Sequence, residues 1–284
     1  MAAPERIGPA LIDAGSAAAH GVASAAVRRL SEMGGKRLPF LRWSFIRMAV
    51  GMKTLTTEWQ VGDGREEALA QRVLTDARAG DVDDAIRVVD EFAYGESFLI
   101  NVGDEKGALL DAAIERAQPR LLLELGTYCG YSALRTARRM PADAHLVSIE
   151  YVDANADIAR RILDHAGVGD RVTVVVGSLA DDGSTAAALE REHGFAHGTL
   201  DFVFIDHDKD LYLPDLKRIV ERGWLHRGSV VVADNVKFPG APEYRKHMAA
   251  HEGSDWRTTE HETHVEYQSL IKDLVLESEY LGAT

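Results

Sequence analysis

The chain has 284 residues, 46% of them apolar, and carries 45 Asp and Glu against 32 Lys and Arg, a formal charge of −13. That length fills one large domain or two small ones, and the acidic balance disfavours a nucleic-acid substrate, because phosphate contacts draw on Lys and Arg. The single cysteine, Cys129, rules out an intramolecular disulfide and a Cys-rich zinc site and fits a reducing, cytoplasmic setting.

Residues 1–23 are rich in Ala and Gly and are expected to be loosely ordered. The start, MAAPERIGPALIDAG, is charged and lacks a long apolar core, so no secretory signal is expected. Residues 24–60 are locally basic, with Arg28, Arg29, Lys36, Arg37, Arg42, Arg47 and Lys53 against Glu32 and Glu58. The apolar run 38–52 is too short to cross a bilayer and is broken by Arg42 and Arg47, so no transmembrane segment is expected. Two readings of this segment stay open. One is a helical arm docked on the main domain. The other is an interfacial helix making peripheral membrane contact, with Phe40, Trp43 and Phe45 in the lipid and arginines at the headgroups. The chain therefore divides into an extension, 1–60, partly disordered or a docked arm, and a folded domain, 61–284.

Apolar residues recur at helical spacing over 66–79 (Leu69, Val73, Leu74) and 81–94 (Ile86, Val89, Phe92). A regular alternation follows. Strand patterns are RLLLEL (120–125), HLVSIE (145–150), RVTVVV (171–176), LDFVFI (200–205) and SVVVAD (229–234), with helical patterns at 131–140, 153–166, 184–193 and 212–222 between them. Continuously apolar strands separated by helices predict a parallel sheet covered on both faces. Beyond Asp234 the rhythm changes, and 256–260 with 269–279 could form a closing antiparallel pair. In such a sheet ligands bind beyond the carboxyl ends of the strands.

The first strand runs into ELGTYCGYS, 124–132, where Gly126 and Gly130 allow a sharp turn and close approach to a ligand. The spacing is G-x-x-x-G, not the G-x-G-x-x-G of a pyrophosphate cradle. Glu150, ending the second strand, can accept hydrogen bonds from both hydroxyls of a ribose; the plainer alternative is an ordinary strand-end carboxylate. The fourth strand ends in IDHDKD and the fifth in ADN. Asp206, Asp234 and Asn235 from those ends form an all-oxygen set suited to Mg²⁺, unless they merely cap the following helices. Asp208 and Asp210 are expected to be solvated or capping. Lys209 is a candidate general base, with Asp208 and Asp210 opposing any fall in its basicity, or else a salt-bridged surface lysine. The HETH run, 261–264, lacks the spacing of a zinc helix and is not expected to bind metal.

Taken together, NVGDEKG (101–107), LELGTYCGYSA (123–133), IDHDKDLYLPDL (205–216), VVADNVKFPGAPE (231–243) and THVEY (263–267) resemble the catechol O-methyltransferase family over 62–282. The resemblance implies a doubly wound, mostly parallel seven-stranded α/β sheet with a reversed C-terminal strand, the Rossmann-like class I methyltransferase fold, over 61–284. It implies S-adenosylmethionine and Mg²⁺ as cofactors and a small-molecule catechol or phenol as substrate. Metal ligands then fall on Asp206, Asp234 and Asn235, and the base on Lys209. Glu266 accepts the unmethylated hydroxyl, and Asn235 also touches the substrate. Cofactor contacts fall on Val102, Glu124, Gly126, Tyr128, Ser132, Glu150, Tyr151 and Asp206. The catechol slot falls on Phe98, Ile100 and Pro239. The chain departs from the family at several positions: Asp208 replaces a tryptophan beside the adenine, Leu179 and Ala180 replace a Ser-Gln pair at its edge, with Asp181 kept, and the aromatic and Met gatekeepers of the catechol slot appear as Phe98 and Ile100, with Pro239 kept. Alternatives are an O-methyltransferase for another phenol, such as a caffeoyl-coenzyme A-like thioester, and a non-enzymatic cofactor-binding protein. A dehydrogenase is weakened by the glycine spacing.

Overall fold

Five buried runs form the parallel part of one seven-stranded sheet in the computed structural model, which describes Gln60 and residues 63–282. The strands are β1 (Leu121–Leu125), β2 (His145–Glu150), β3 (Val172–Val176), β4 (Leu200–Ile205), β5 (Leu225–Ala233), β6 (Trp256–His264) and β7 (Lys272–Tyr280), in the order β3-β2-β1-β4-β5-β7-β6. Strands β1 to β5 pair in parallel, whereas β7 runs antiparallel to both β5 and β6. This is the expected doubly wound sheet with its reversed C-terminal strand.

The continuous apolar character of the central strands follows from cover on both faces. Leu122, Leu146, Phe202, Phe204 and Val232 point into one core; their neighbours Leu123, Val147, Val203, Ile205 and Val231 point into the other. Helices α1 (Arg65–Asp76), α2 (Val82–Gly95), α3 (Gly103–Ala117), α4 (Tyr131–Arg139) and α5 (Asp153–His165) contribute side chains to the first core; α6 (Ser184–Glu192), α7 (Tyr212–Glu221) and α8 (Pro242–Ala250) contribute to the second. Asp81 starts α2 by accepting the Asp84 amide at 3.0 Å.

Two helices, α3 and α8, were not anticipated from periodicity, and β5 begins four residues earlier than its apolar run suggested. Strand β6 continues to His264 rather than ending at 260. In that strand His261 and His264 lie three residues apart and so face opposite sides. His261 pairs with Glu277 at 2.9 Å and His264 with Glu105 at 3.1 Å, so they share no metal. The extension reading for 1–60 lies outside the described residues, Gln60 excepted. Among the described residues, no helix is long and apolar enough to cross a membrane.

Candidate functional site

The chain winds β1→β2→β3 toward one edge and then returns to lay β4 on the other side of β1, leaving a crevice at the carboxyl ends of β1 and β4. There Gly126, at φ +99°, presses on the end of β4: a Cβ would stand 2.3 Å from the Asp206 carbonyl oxygen. Its requirement for glycine is met by this backbone contact alone, whatever ligand also approaches. The reversal of β7 completes the site. Because Ala233 pairs with Leu276 antiparallel, the first residues of β7 and the loop before it emerge at the same edge as the ends of β4 and β5. That brings Glu266 and Asp273 to Asn235, whose Nδ2 donates to Glu266 Oε1 at 3.0 Å and to Asp273 Oδ2 at 2.8 Å.

On the other side of Asn235 stands Lys209, in a short 3₁₀ turn that Asp208 caps by accepting the Asp210 amide at 3.1 Å. Lys209 Nζ donates to Asp206 Oδ1 at 3.0 Å, to Tyr212 Oη at 2.6 Å and to Asn235 Oδ1 at 3.4 Å. Tyr212 Oη in turn donates to the Asp234 carbonyl at 3.0 Å, and its ring stacks on His207, which pairs with Asp215 at 2.9 Å. Lys209 is thus anchored in a built site, with less than a fifth of its side chain exposed.

Asp206, Asp234 and Asn235 converge as the sequence suggests. Burial pushes both carboxyls above the usual range, against the pull of Lys209 and Lys106. Asp234 Oδ1 accepts the Asn235 amide at 2.6 Å; Oδ2 lies 2.8 Å from Lys106 Nζ yet receives no well-directed hydrogen bond. A buried carboxylate oxygen in that state is suited to a cation. Among the described residues no group of three or more His, Cys, Asp and Glu side chains forms a metal cluster; the donor set here is two carboxylates and an amide oxygen, which still fits a hard cation that keeps water ligands.

Glu124 is fully buried, and burial pushes its carboxyl up to about 8 against hydrogen bonds from Ser148 and Ser132. Its Oε2 has no hydrogen-bond partner. Glu150 spends both oxygens on backbone, Oε2 accepting the Tyr128 amide at 2.8 Å and Oε1 the Val152 amide at 2.9 Å. It therefore shapes the Gly-rich turn as well as standing at the strand end. Tyr128 turns inward, its hydroxyl donating to Glu66 at 2.9 Å, whereas Tyr151 is 72% exposed. Val102, Lys106 and Glu266 line a cleft of ≈ 200 Å³. Phe98 is buried with its ring edge-on to Tyr267, Ile100 is half-buried, and Pro239 is exposed on the turn after Asn235. Leu179 is buried, and Asp181 accepts the amides of Gly183 and Thr185 at 2.7 and 3.0 Å.

Two site residues went unread in the sequence. Lys106 of α3 is 2% exposed and makes ion pairs with Asp234, Glu266 and Asp273. Asp273 holds the Phe238 amide at 2.9 Å with its other oxygen. The lysine lies inside NVGDEKG, and its spacing of four and eight from Leu110 and Ile114 marks it as core-facing.

The O-methyltransferase family profile matches residues 86–252. A protein of Mycobacterium tuberculosis named as a probable O-methyltransferase is 61% identical over 235 residues, covering 83% of this chain and all of its own length. Catechol O-methyltransferase of Bos taurus is 36% identical over 214 residues, 75% of this chain and 76% of that protein. Among solved structures, the O-methyltransferase TomG of Streptomyces achromogenes, in complex with S-adenosylmethionine, superposes with a TM-score of 0.58 at 26% identity, covering 74% of this chain and 93% of its own. On the profile match and these identities, the chain belongs to the O-methyltransferase family.

Proposed function

We propose that this chain transfers the methyl group of S-adenosylmethionine to one hydroxyl of a catechol or related vicinal diphenol, in a reaction that requires Mg²⁺. The observation that carries the reading is the meeting of Asp206, Asp234, Asn235, Lys209 and Glu266 at one edge of the sheet, linked through Asn235. Likeness to catechol O-methyltransferases over three-quarters of the chain supports the substrate class.

In this reading the cofactor lies across the ends of β1 and β2. Glu150 accepts the ribose hydroxyls with the lone pairs its backbone contacts leave. The unpartnered Glu124 Oε2 suits the cofactor's ammonium group. Gly126, Tyr128, Ser132, Tyr151 and Val102 complete the cofactor surface, and Phe98, Ile100 and Pro239 wall the substrate slot. Asp206, Asp234 and Asn235 would hold Mg²⁺, which would supply a Lewis acid that lowers the pKa of the reacting hydroxyl. Lys209 Nζ, having first lost a proton to solvent as the neutral amine, takes the proton of the reacting hydroxyl, and Glu266 accepts a hydrogen bond from the other one. The oxygen–carbon bond forms as the carbon–sulfur bond breaks, leaving S-adenosylhomocysteine. Holding the diol at two points aligns oxygen, methyl and sulfur, where most of the remaining barrier lies.

The test is a methyl-transfer assay over catechols, flavonoids, monophenols and phenolic thioesters, with Mg²⁺ and with excess chelator. Turnover of vicinal diphenols that disappears in chelator is the expected result. Equal turnover of phenol and catechol, or full activity in chelator, would overturn the reading, and preference for a thioester would move it to a coenzyme A-linked phenol.

A further inference from the structure

Lys106 occupies a place where a lysine is costly. It continues the core-facing stripe of α3 that includes Leu110, Ala113 and Ile114, and it is 2% exposed. Its ammonium is surrounded by oxygen: Asp234 Oδ2 at 2.8 Å, Asp273 Oδ2 at 3.2 Å and Glu266 Oε1 in close contact. Asn235 Nδ2 grips the same Glu266 and Asp273 oxygens, so Lys106 and Asn235 clamp the two carboxylates together. The start of α3 is packed against this point: a Cβ on Gly103 would stand 3.4 Å from Glu266 Cα and Cβ.

The charge count shows what the lysine is for. Four carboxylates meet here (Asp206, Asp234, Glu266 and Asp273), with two ammonium groups, and Lys209 is committed to Asp206. Lys106 is then the cation left for the other three. Taking it away would strand buried carboxylates, which is far more damaging than removing a whole ion pair.

We propose that Lys106 is a positioning residue, a built-in counter-cation that holds Asp234 and Glu266 together and shares with the divalent metal the task of neutralising this carboxylate cluster. The inference rests on the metal reading above. It has a thermodynamic signature that an ordinary structural ion pair lacks: removing Lys106 makes folding more dependent on the metal, because two sources of positive charge are partly interchangeable.

The experiment is thermal unfolding of the full chain at fixed pH, with saturating Mg²⁺ and with chelator, for wild type, Lys106→Met and the double variant Lys106→Met/Asp273→Asn. In chelator, Lys106→Met should melt roughly 5–15 °C below wild type, as breaking a buried pair does in a domain of this size. Mg²⁺ should raise its Tm by several degrees more than it raises that of wild type. Lys106→Met that is folded in Mg²⁺ and unfolds on chelation, while wild type does not, is the limiting form of the same result. The double variant removes one negative charge with the positive one, and should return the Mg²⁺ increment toward the wild-type value. An increment equal in wild type and Lys106→Met overturns the proposal and leaves the metal reading standing. No increment in wild type overturns both. A double variant that fails to fold even in Mg²⁺ also overturns it, because packing and not charge would then be what Lys106 supplies.

Discussion

Lys209 Nζ is held by an anion and a phenol, Asp206 Oδ1 at 3.0 Å and Tyr212 Oη at 2.6 Å, with the Asn235 amide oxygen at 3.4 Å. Three acceptors converging on this nitrogen fix its position in the resting, protonated state; to serve as the proposed base it must first give up one of those protons, which the positive charge of a neighbouring metal and sulfonium would favour. Lys209→Met keeps a stem of nearly the same length, with sulfur in place of one methylene, and removes the terminal nitrogen. On the proposed role, kcat should fall by roughly 10²–10⁴-fold at neutral pH, the usual contribution of a positioned base. A phenol titrates near pH 10 without help, so the deficit should narrow as pH rises from about 7 toward 10. Rate–pH profiles of both enzymes, with chemistry shown to be limiting, check this; a deficit that is constant across pH would mean that Lys209 acts by position or charge and not as a base. Glu150 illustrates a different lesson at this scale. Because its oxygens hold the Tyr128 and Val152 amides, truncating it to Ala would disturb the turn along with any ribose contact, and Glu150→Gln is the cleaner probe.

Helix α2 presents Asp90 to Tyr131 of α4, whose hydroxyl donates to it at 2.7 Å, and to the Tyr267 hydroxyl at 3.4 Å. Burial pushes the Asp90 carboxyl up to about 6, against those hydrogen bonds and the Arg135 charge. The folded chain therefore keeps a proton on Asp90 that the unfolded chain has already lost, over the window from about pH 4 to 6. Stability contributed by this residue falls as pH rises through that window and stays at its low value above it. Asp90→Asn can still accept the tyrosine hydroxyls without the charge. Its Tm should exceed that of wild type at pH 7 and above, the gain shrinking as pH is lowered toward 4; a difference that is constant with pH, or largest in acid, would contradict the account. Elements of this kind also decide what could be read in advance. Strands β1 and β4 were legible because cover on both faces demands unbroken apolar runs, LLLEL and LDFVFI. Strand β6, WRTTEHETH at the sheet edge, has no such demand and was only half seen. Helix α3 escaped because Lys106 and Asp111 sit on its buried face and dilute the apolar periodicity. The same fact hid part of the site. Asp206, Lys209, Asp234 and Asn235 follow strand ends and could be read from the strand rule, whereas Lys106 and Asp273 acquire their role only when α3 and the reversed β7 meet across β5.

Across the whole chain, charge is unevenly shared. Residues 1–60 hold eight Lys and Arg against four Asp and Glu, which leaves 24 against 41 for residues 61–284. Every candidate site residue lies between Phe98 and Asp273, and among the described residues both cores are built from residues at or beyond Leu69. The Mycobacterium tuberculosis relative is matched over its entire length by 83% of this chain, so a family member exists without a counterpart for the remainder. On these grounds catalysis is expected to reside in residues 61–284 and not in the basic segment. A chain beginning at Gln60, which keeps the contact of Gln60 with Asn155 at 2.8 Å, should melt at the same temperature as the full chain and show the same kcat/KM. What it should lose is affinity for anionic surfaces. Basic residues near an anionic bilayer contribute about 1 kcal/mol each, an attraction that fades within a Debye length, and Phe40, Trp43 and Phe45 add apolar contact between Arg37, Arg42 and Arg47. Co-sedimentation of both forms with phosphatidylserine-containing vesicles, at low and high salt, separates the outcomes. Full-length protein should pellet at low salt and be released as salt rises, while the shortened chain stays in the supernatant throughout. If the shortened chain pellets equally, the surface affinity belongs to the methyltransferase domain; if it loses activity in free solution, residues 1–59 belong to the catalytic unit.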